Sequence, residues 1–357
     1  MYQPTFTITP AITKALMTIE AARQSILALP IDVDMLASLR ETARLIATHY
    51  STQIEGNRLT QAEVEQVLSG AHIPGRERDQ TEVRNYYRAL EEVERLSGQT
   101  RHVEESDIQR LHGLVLHGKI KPAPYRDGQN VIRAAGSGLI IYMPPEAANV
   151  PDLMADLIDW ISAQTDRDEL PAPLIAAVAH YQFATVHPYY DGNGRTARLL
   201  ATLLLHKAGY GLKGIYSLDE YYARNLQGYY QALTVGPSHN YYMGRADSDI
   251  TGFIAYFCAG MAEAFTAVKA QADKAASRGA IDQSGILRRL DPRQRRLWEL
   301  LRRQGTATSG DIATHLGLSP RTVVSLCRQW VDDGFLEVHD PSRKNRAYRL
   351  AGGFDRD

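Results

Sequence analysis

A histidine and a carboxylate stand four residues apart in the run HPYYDGNGRTAR, with Gly192-Asn193-Gly194 and two arginines directly behind them. His187 is the natural general base, because imidazole changes its charge near neutral pH. Asp191 suits Mg²⁺, a cation that takes one or two protein carboxylates and completes its shell with phosphates and water. The glycines let an anion approach the backbone closely. The apolar run that follows, TARLLATLLLHKAG, predicts a helix whose N-terminus offers unpaired N–H groups and a partial positive charge. Arg195 and Arg198 fall on one face of that helix, where two guanidinium forks can hold further phosphate oxygens. These parts predict a site for a polyphosphate and its magnesium, with a base facing the nucleophile, and hence phosphoryl or nucleotidyl transfer. The spacing is neither GxxxxGK[ST] nor GxGxxG, and no strand precedes it as a Rossmann turn requires.

The elements around this loop read as helices. Apolar residues recur at helical spacing in ADLIDWISAQ and in LIAAVAHYQFATV, which leads into His187. Strand-like signal is concentrated in NVIRAAGSGLIIYMPP, residues 130–145, where two β-branched runs flank Gly136-Ser137-Gly138, and this predicts a hairpin. The small, polar, Ala-rich stretch 266–285 suits a solvated linker helix. Beyond it come RQRRLWELLRR, a helix from the N-cap candidate Ser309 to Gly317, a helix from the N-cap Ser319 to Gly334, and two alternating strands around PSRKN. That order resembles a winged helix-turn-helix.

Composition restricts the function classes. With 357 residues, 44% of them hydrophobic, the chain can bury a sizeable core in two or three domains. The sequence shows no uninterrupted apolar run of membrane length and no basic-then-apolar leader, so no membrane partner and a cytoplasmic location are the expectations. Cys258 and Cys327 lack metal-ligand spacing and read as buried thiols. His49 and His180 read as structural for want of ligand partners. The net charge of −1 hides a segregation: residues 285–350 hold 13 basic against 7 acidic side chains. This basic segment is the candidate for DNA, through Arg321 and Arg328 on the helix beginning at Ser319 and through Arg343, Lys344 and Arg346 at the wing tip. A winged helix used for protein docking or dimer packing, and so a homodimer, stands beside that reading.

The run from His187 to Arg198 resembles the HPFx[DE]GNGRxxR signature of Fic-domain proteins, with Tyr189 where the family has phenylalanine. Upstream, Ser51-Thr52-Gln53-Ile54-Glu55-Gly56 resembles the family's inhibitory pattern [ST]xxxE[GN]. The resemblance implies a mainly α fold: a Fic-type helical bundle with a β-hairpin flap, plus the small C-terminal winged-helix domain. It implies an N-terminal helical region over 1–100 with the inhibitory helix near 41–56, a catalytic core over 101–265, the linker helix at 266–285 and the winged helix-turn-helix at 286–350. The activity implied is an autoinhibited protein adenylyltransferase moving AMP from ATP to a Ser, Thr or Tyr hydroxyl, on another protein or on itself, with AMP removal as a companion reaction.

In that scheme His187 is the base and Asp191 the magnesium ligand. The nucleotide is met by Gly192, Asn193, Gly194, Arg195, Thr196 and Arg198, by the flap residues Leu139, Ile140, Ile141 and Tyr142, and by Tyr229 on the adenine side. Ser51 and Glu55 form the inhibitory pair, with Glu55 against Arg198. Kinase-type relatives of the Doc group carry lysine in place of the second glycine, so Gly194 points to AMP transfer. A different class, a nucleotide-sensing DNA-binding regulator without transferase activity, is disfavoured by the intact base His187.

Overall fold

In this computed structural model the described residues are 2–29, 33–99, 102–133, 138–276, 290–340, 342, 346–352 and 354. The chain divides into two compact units, one of residues 1–28 and 39–273, the other of residues 29–38 and 274–357.

The first unit is built around a helix that is apolar on every face. Helix α7 (Ala172–Val186) buries all but two of its 15 residues, as an all-round apolar sequence must. Helix α8 (Asn193–Lys207) packs beside it through Leu199, Leu200 and Leu203, all fully buried. Around this pair lie α4 (Glu77–Ser97), α5 (Glu105–His117) and α6 (Val150–Arg167). The remaining helices lying wholly or mostly in this unit, in chain order, are α1 (Pro10–Ala28), α2 (Val33–Ile54), α3 (Gln61–Leu68), α9 (Asp219–Arg224), α10 (Leu226–Leu233) and α11 (Thr251–Ala276). Helix α11 is, by length and composition, apolar enough to cross a membrane between Thr251 and Asp273, yet it fully buries Phe253, Phe257, Met261 and Phe265 within the unit. The expected linker helix at 266–285 is the continuation of α11 as far as Ala276, and its remainder lies outside the described residues.

The expected hairpin is short. Strands β1 (Ile132–Arg133) and β2 (Ile140–Tyr142) pair antiparallel, Ile132 opposite Tyr142 and Arg133 opposite Ile140, and the tip at 134–137 lies outside the described residues. Beyond β2, Met143 exchanges main-chain bonds with His239 and Tyr241.

In the second unit, α12 (Pro292–Gln304) starts at an Asp291 capping box, and α13 (Ser309–Leu316) ends at Gly317 in the left-handed region. The cap of α13 is Thr308, whose hydroxyl accepts from the Asp311 amide, and not Ser309 as the sequence suggested. Ser319 caps α14 (Pro320–Asp332), with proline at its first position. Strands β3 (Ala307–Thr308), β4 (Leu336–Asp340) and β5 (Ala347–Leu350) form an antiparallel sheet in the order β3-β5-β4. Trp298, Ile312, Val323, Cys327, Trp330 and Tyr348 fill its core. Cys258 and Cys327 are both free and buried, and burial pushes each thiol up to about 12.

Candidate active site

The loop after α7 is shaped by two residues in the left-handed region. His187 ends α7 at φ 51°, ψ 57°, and Gly192 opens α8 at φ 76°. Only glycine fits the second position, because a Cβ there would press on His112, Val115 and Leu116 at 3.2–3.3 Å. The four residues between are braced by Asn193, whose side chain accepts from the Tyr189 amide at 3.0 Å and donates to the Tyr189 carbonyl at 2.7 Å. Asn193 therefore contributes its backbone to any anion cradle, and its amide group holds the turn. Thr196 is consumed in the same way: its hydroxyl donates to the Gly192 carbonyl at 2.9 Å and meets His112 Nδ1 at 3.1 Å. Tyr189 is buried and stacks on His112, with ring centroids 3.4 Å apart. Its extra hydroxyl has no hydrogen-bond partner among the described residues, which is what the tyrosine in place of phenylalanine adds.

His187 is held in its neutral form, with one ring nitrogen able to accept a proton. Nδ1 lies 3.3 Å from the Ala184 carbonyl, which only a donor can satisfy, so the neutral ring keeps its lone pair on Nε2. Burial lowers the pKa to about 4, so the ring is neutral at pH 7. Asp191 Oδ1 accepts from the Gly192 amide at 2.6 Å and from Arg195 at 3.2 Å. The side chain is exposed, and its second oxygen accepts no hydrogen bond among the described residues. Among the described residues no three His, Cys, Asp or Glu side chains converge as metal ligands. A single carboxylate still fits magnesium brought in by a polyphosphate, which needs no more from the protein.

Arg198 is the most heavily engaged charge of the loop. Its side chain is 2% exposed; Nε donates to Ser51 Oγ at 2.8 Å, and Nη2 to the Ser51 carbonyl and to Glu55 Oε1, both at 2.9 Å. Glu55 sits in the turn that ends α2, with its side chain 26% exposed. Its carboxylate lies so close to Gly194 that a Cβ there would collide with Oε1. A charged hollow opens beside it, lined by Glu55, Arg58, Arg76, Arg78 and Glu82 among others.

Two carboxylates that sequence reasoning missed complete the arrangement. Asp219, at the start of α9, lies 3.3 Å from Arg198 Nε; burial pushes its carboxyl up, and Arg198 pulls it the other way. Glu82 on α4 lies 3.9 Å from Arg195 and also accepts from Asn57, two residues after Glu55. No local pattern marks either residue. A third omission, Arg126, hydrogen-bonds the carbonyl of His187.

Tyr229 is 2% exposed, shares a 2.9 Å bond with His180 Nε2 and also hydrogen-bonds Arg198, while Tyr230, 48% exposed, donates to the Ile54 carbonyl beside Glu55. Within the flap, Leu139, Ile140 and Ile141 are exposed, but Tyr142 is buried and donates its hydroxyl to the Thr185 carbonyl at 2.7 Å, anchoring the flap to α7. His49 and His180 are buried. In the second unit Arg321, Arg328 and Arg346 are exposed; Arg343 and Lys344 lie outside the described residues.

Comparison with known proteins bears on this geometry. The chain is 32% identical over 216 residues to the protein adenylyltransferase fic-1 of Caenorhabditis briggsae, covering 59% of this chain and 41% of the relative. It is 28% identical over 200 residues to the protein adenylyltransferase Fic of Drosophila willistoni, covering 55% and 39%. The chain thus spans about two fifths of the length of these curated relatives. Among solved structures, a Fic family protein from Desulfovibrio desulfuricans G20 superposes with a TM-score of 0.62 at 26% identity, covering 98% of this chain and 99% of that one. Fic-1 (residues 134–508) of C. elegans superposes at 0.58 and 25% identity, covering 75% and 73%. Residues 102–205, a span that includes the whole loop from His187 to Arg198, match the model of the Fic/DOC family.

Proposed function

We propose that the chain is a protein adenylyltransferase held in an off state by Glu55. A Ser, Thr or Tyr hydroxyl of a protein target, or of the chain itself, attacks the α-phosphorus of ATP. The new O–P bond forms as the bond to the bridging oxygen breaks, the hydroxyl proton passes to His187 Nε2, and pyrophosphate leaves. The backbone amides of Gly192, Asn193 and Gly194 hold phosphate oxygens at the N-terminus of α8, with Arg195 and Arg198 on the outer phosphates. Magnesium, held by Asp191, would supply charge neutralisation on the phosphates. The relatives' name, protein adenylyltransferase, supports this class of reaction, as does glycine at 194.

The observation that carries the off state is the 2.9 Å ion pair between Arg198 and Glu55, made against Gly194 at the mouth of the cradle. A carboxylate there occupies the arginine and repels the γ-phosphate. In the reverse direction the same carboxylate orients a water for removal of AMP. Intact-mass analysis after incubation with ATP and Mg²⁺ tests the reading: the Glu55→Gly protein should gain AMP on itself or on an added target, and a protein that binds ATP without ever transferring AMP would sustain the nucleotide-sensing alternative.

The second unit supports a DNA-binding role of its own. Arg321 and Arg328 are seven residues apart on α14, both exposed, and so lie on one face of the helix. Binding of the full chain to duplex DNA that weakens as salt rises would support this, and salt-insensitive or absent binding would favour protein docking.

A further inference from the structure

The segment from Arg126 to Asn130, between α5 and β1, ties the catalytic loop to the flap. Arg126 Nε donates to the His187 carbonyl at 3.0 Å, and its main-chain N–H donates to the Pro188 carbonyl at 2.9 Å. Its Nη1 donates to Gly128 at 3.1 Å, and its Nη2 to the carbonyl of Pro145, just beyond β2. Asn130 adds a 3.1 Å bond to the Tyr189 carbonyl, and Gln129 one of the same length to Pro144. Arg126 is 3% exposed and, among the described residues, pairs with no carboxylate. Burying an unpaired guanidinium is costly, and an apolar side chain of similar volume would fill the space more cheaply. What the apolar side chain lacks is a rigid fork whose donors diverge toward three carbonyls.

His187 itself needs holding. It is a non-glycine residue in the left-handed region, a conformation that persists only where the surroundings over-determine it. We infer that Arg126 is a positioning residue that fixes the base relative to the flap, one guanidinium holding the carbonyl of His187 and the carbonyl of Pro145 at once. A target backbone laid along the exposed edge of β2 is thereby set in register with the imidazole. This rests on the transferase reading, and its test separates the two.

In the Glu55→Gly background, AMP incorporation at saturating ATP and Mg²⁺ is compared for Arg126, Arg126→Lys and Arg126→Gln, together with the affinity of each for ATP. Lysine keeps the charge but cannot span three carbonyls, so it should not rescue. Both variants should lose about a hundredfold in kcat, the cost of misplacing a catalytic group by about an ångström, with ATP affinity unchanged. Hydrogen exchange should quicken together in the segments 184–190 and 142–146. Parental kcat in a folded Lys or Gln variant, a parallel loss of ATP affinity, or exchange that rises in one segment alone would overturn the inference. If the parent protein with Arg126 intact transfers no AMP, the transferase reading has failed, and the paired exchange response decides Arg126 by itself.

Discussion

Replacing Glu55 by glycine should activate transfer by about two orders of magnitude. The carboxylate stands 2.9 Å from the arginine that would bind the outer phosphates and against the glycine that opens the cradle. A γ-phosphate held by the same arginine would lie about 5 Å from it, and at an effective dielectric of about 20 two such charges repel by roughly 3 kcal/mol, a factor of about a hundred. The buried guanidinium would not be stranded by the change. Arg198 keeps Ser51 and Asp219, the latter at 3.3 Å, so the variant should fold and melt close to the parent. The assay is initial-rate AMP incorporation at saturating ATP and Mg²⁺ with one target for both proteins. Arg198→Ala should not activate, because it removes the phosphate ligand together with the brake, and any AMP-removing activity should vanish with Glu55. Equal transfer rates for parent and Glu55→Gly would refute the electrostatic argument and leave Glu55 as a helix-end acid.

His187→Ala should cost about 10²–10⁴-fold in transfer while ATP still binds, since cradle and arginines remain; near-parental transfer would remove the histidine from its role as base. Because burial holds His187 at about 4, kcat/KM of the Glu55→Gly protein should be flat from about pH 5 to 8 and fall only as the ring protonates below that, whereas an inflection near 6.5 would mean an unperturbed imidazole. Burial also holds His112 and His180 at about 3 and His206 at about 4. The unfolded chain takes up protons first, so the stability these rings contribute is whole above about pH 6.5 and is lost as pH falls toward 4; a Tm that did not drop between pH 7.5 and 5 would contradict this. If α14 contacts DNA, Arg321→Ala with Arg328→Ala in the full chain should reduce the slope of log affinity against log salt by about 2, and an unchanged slope would place the contacts elsewhere.

The loop was legible because its parts stand in consecutive residues: the histidine, the glycines and the arginines share one turn and one helix start. Its supports were not, because they are assembled from afar. Asp219, Glu82 and Arg126 reach the loop from three separate elements, and a lone acid or arginine in a polar stretch carries no periodicity to betray its direction. Tyr142 shows the limit from the other side. Alternation in β2 predicts that neighbouring residues face opposite ways, yet with only three residues in the strand nothing in the sequence said which face was covered. Strand β3, two residues long, gave no signal at all, and its Thr308 hydroxyl took the capping role assigned to Ser309.

The contact between Glu55 and Gly194 also constrains how the sequence can drift. Any side chain at 194 begins with a Cβ that would strike the Glu55 carboxylate, the far end of a flexible chain that yields more readily than backbone. Positions 55 and 194 are therefore sterically coupled: a side chain at 194 displaces the acid, whatever the newcomer's chemistry. On the proposed reading, a substitution at 194 would thus loosen the same restraint that Glu55→Gly removes, from the opposite side of the contact.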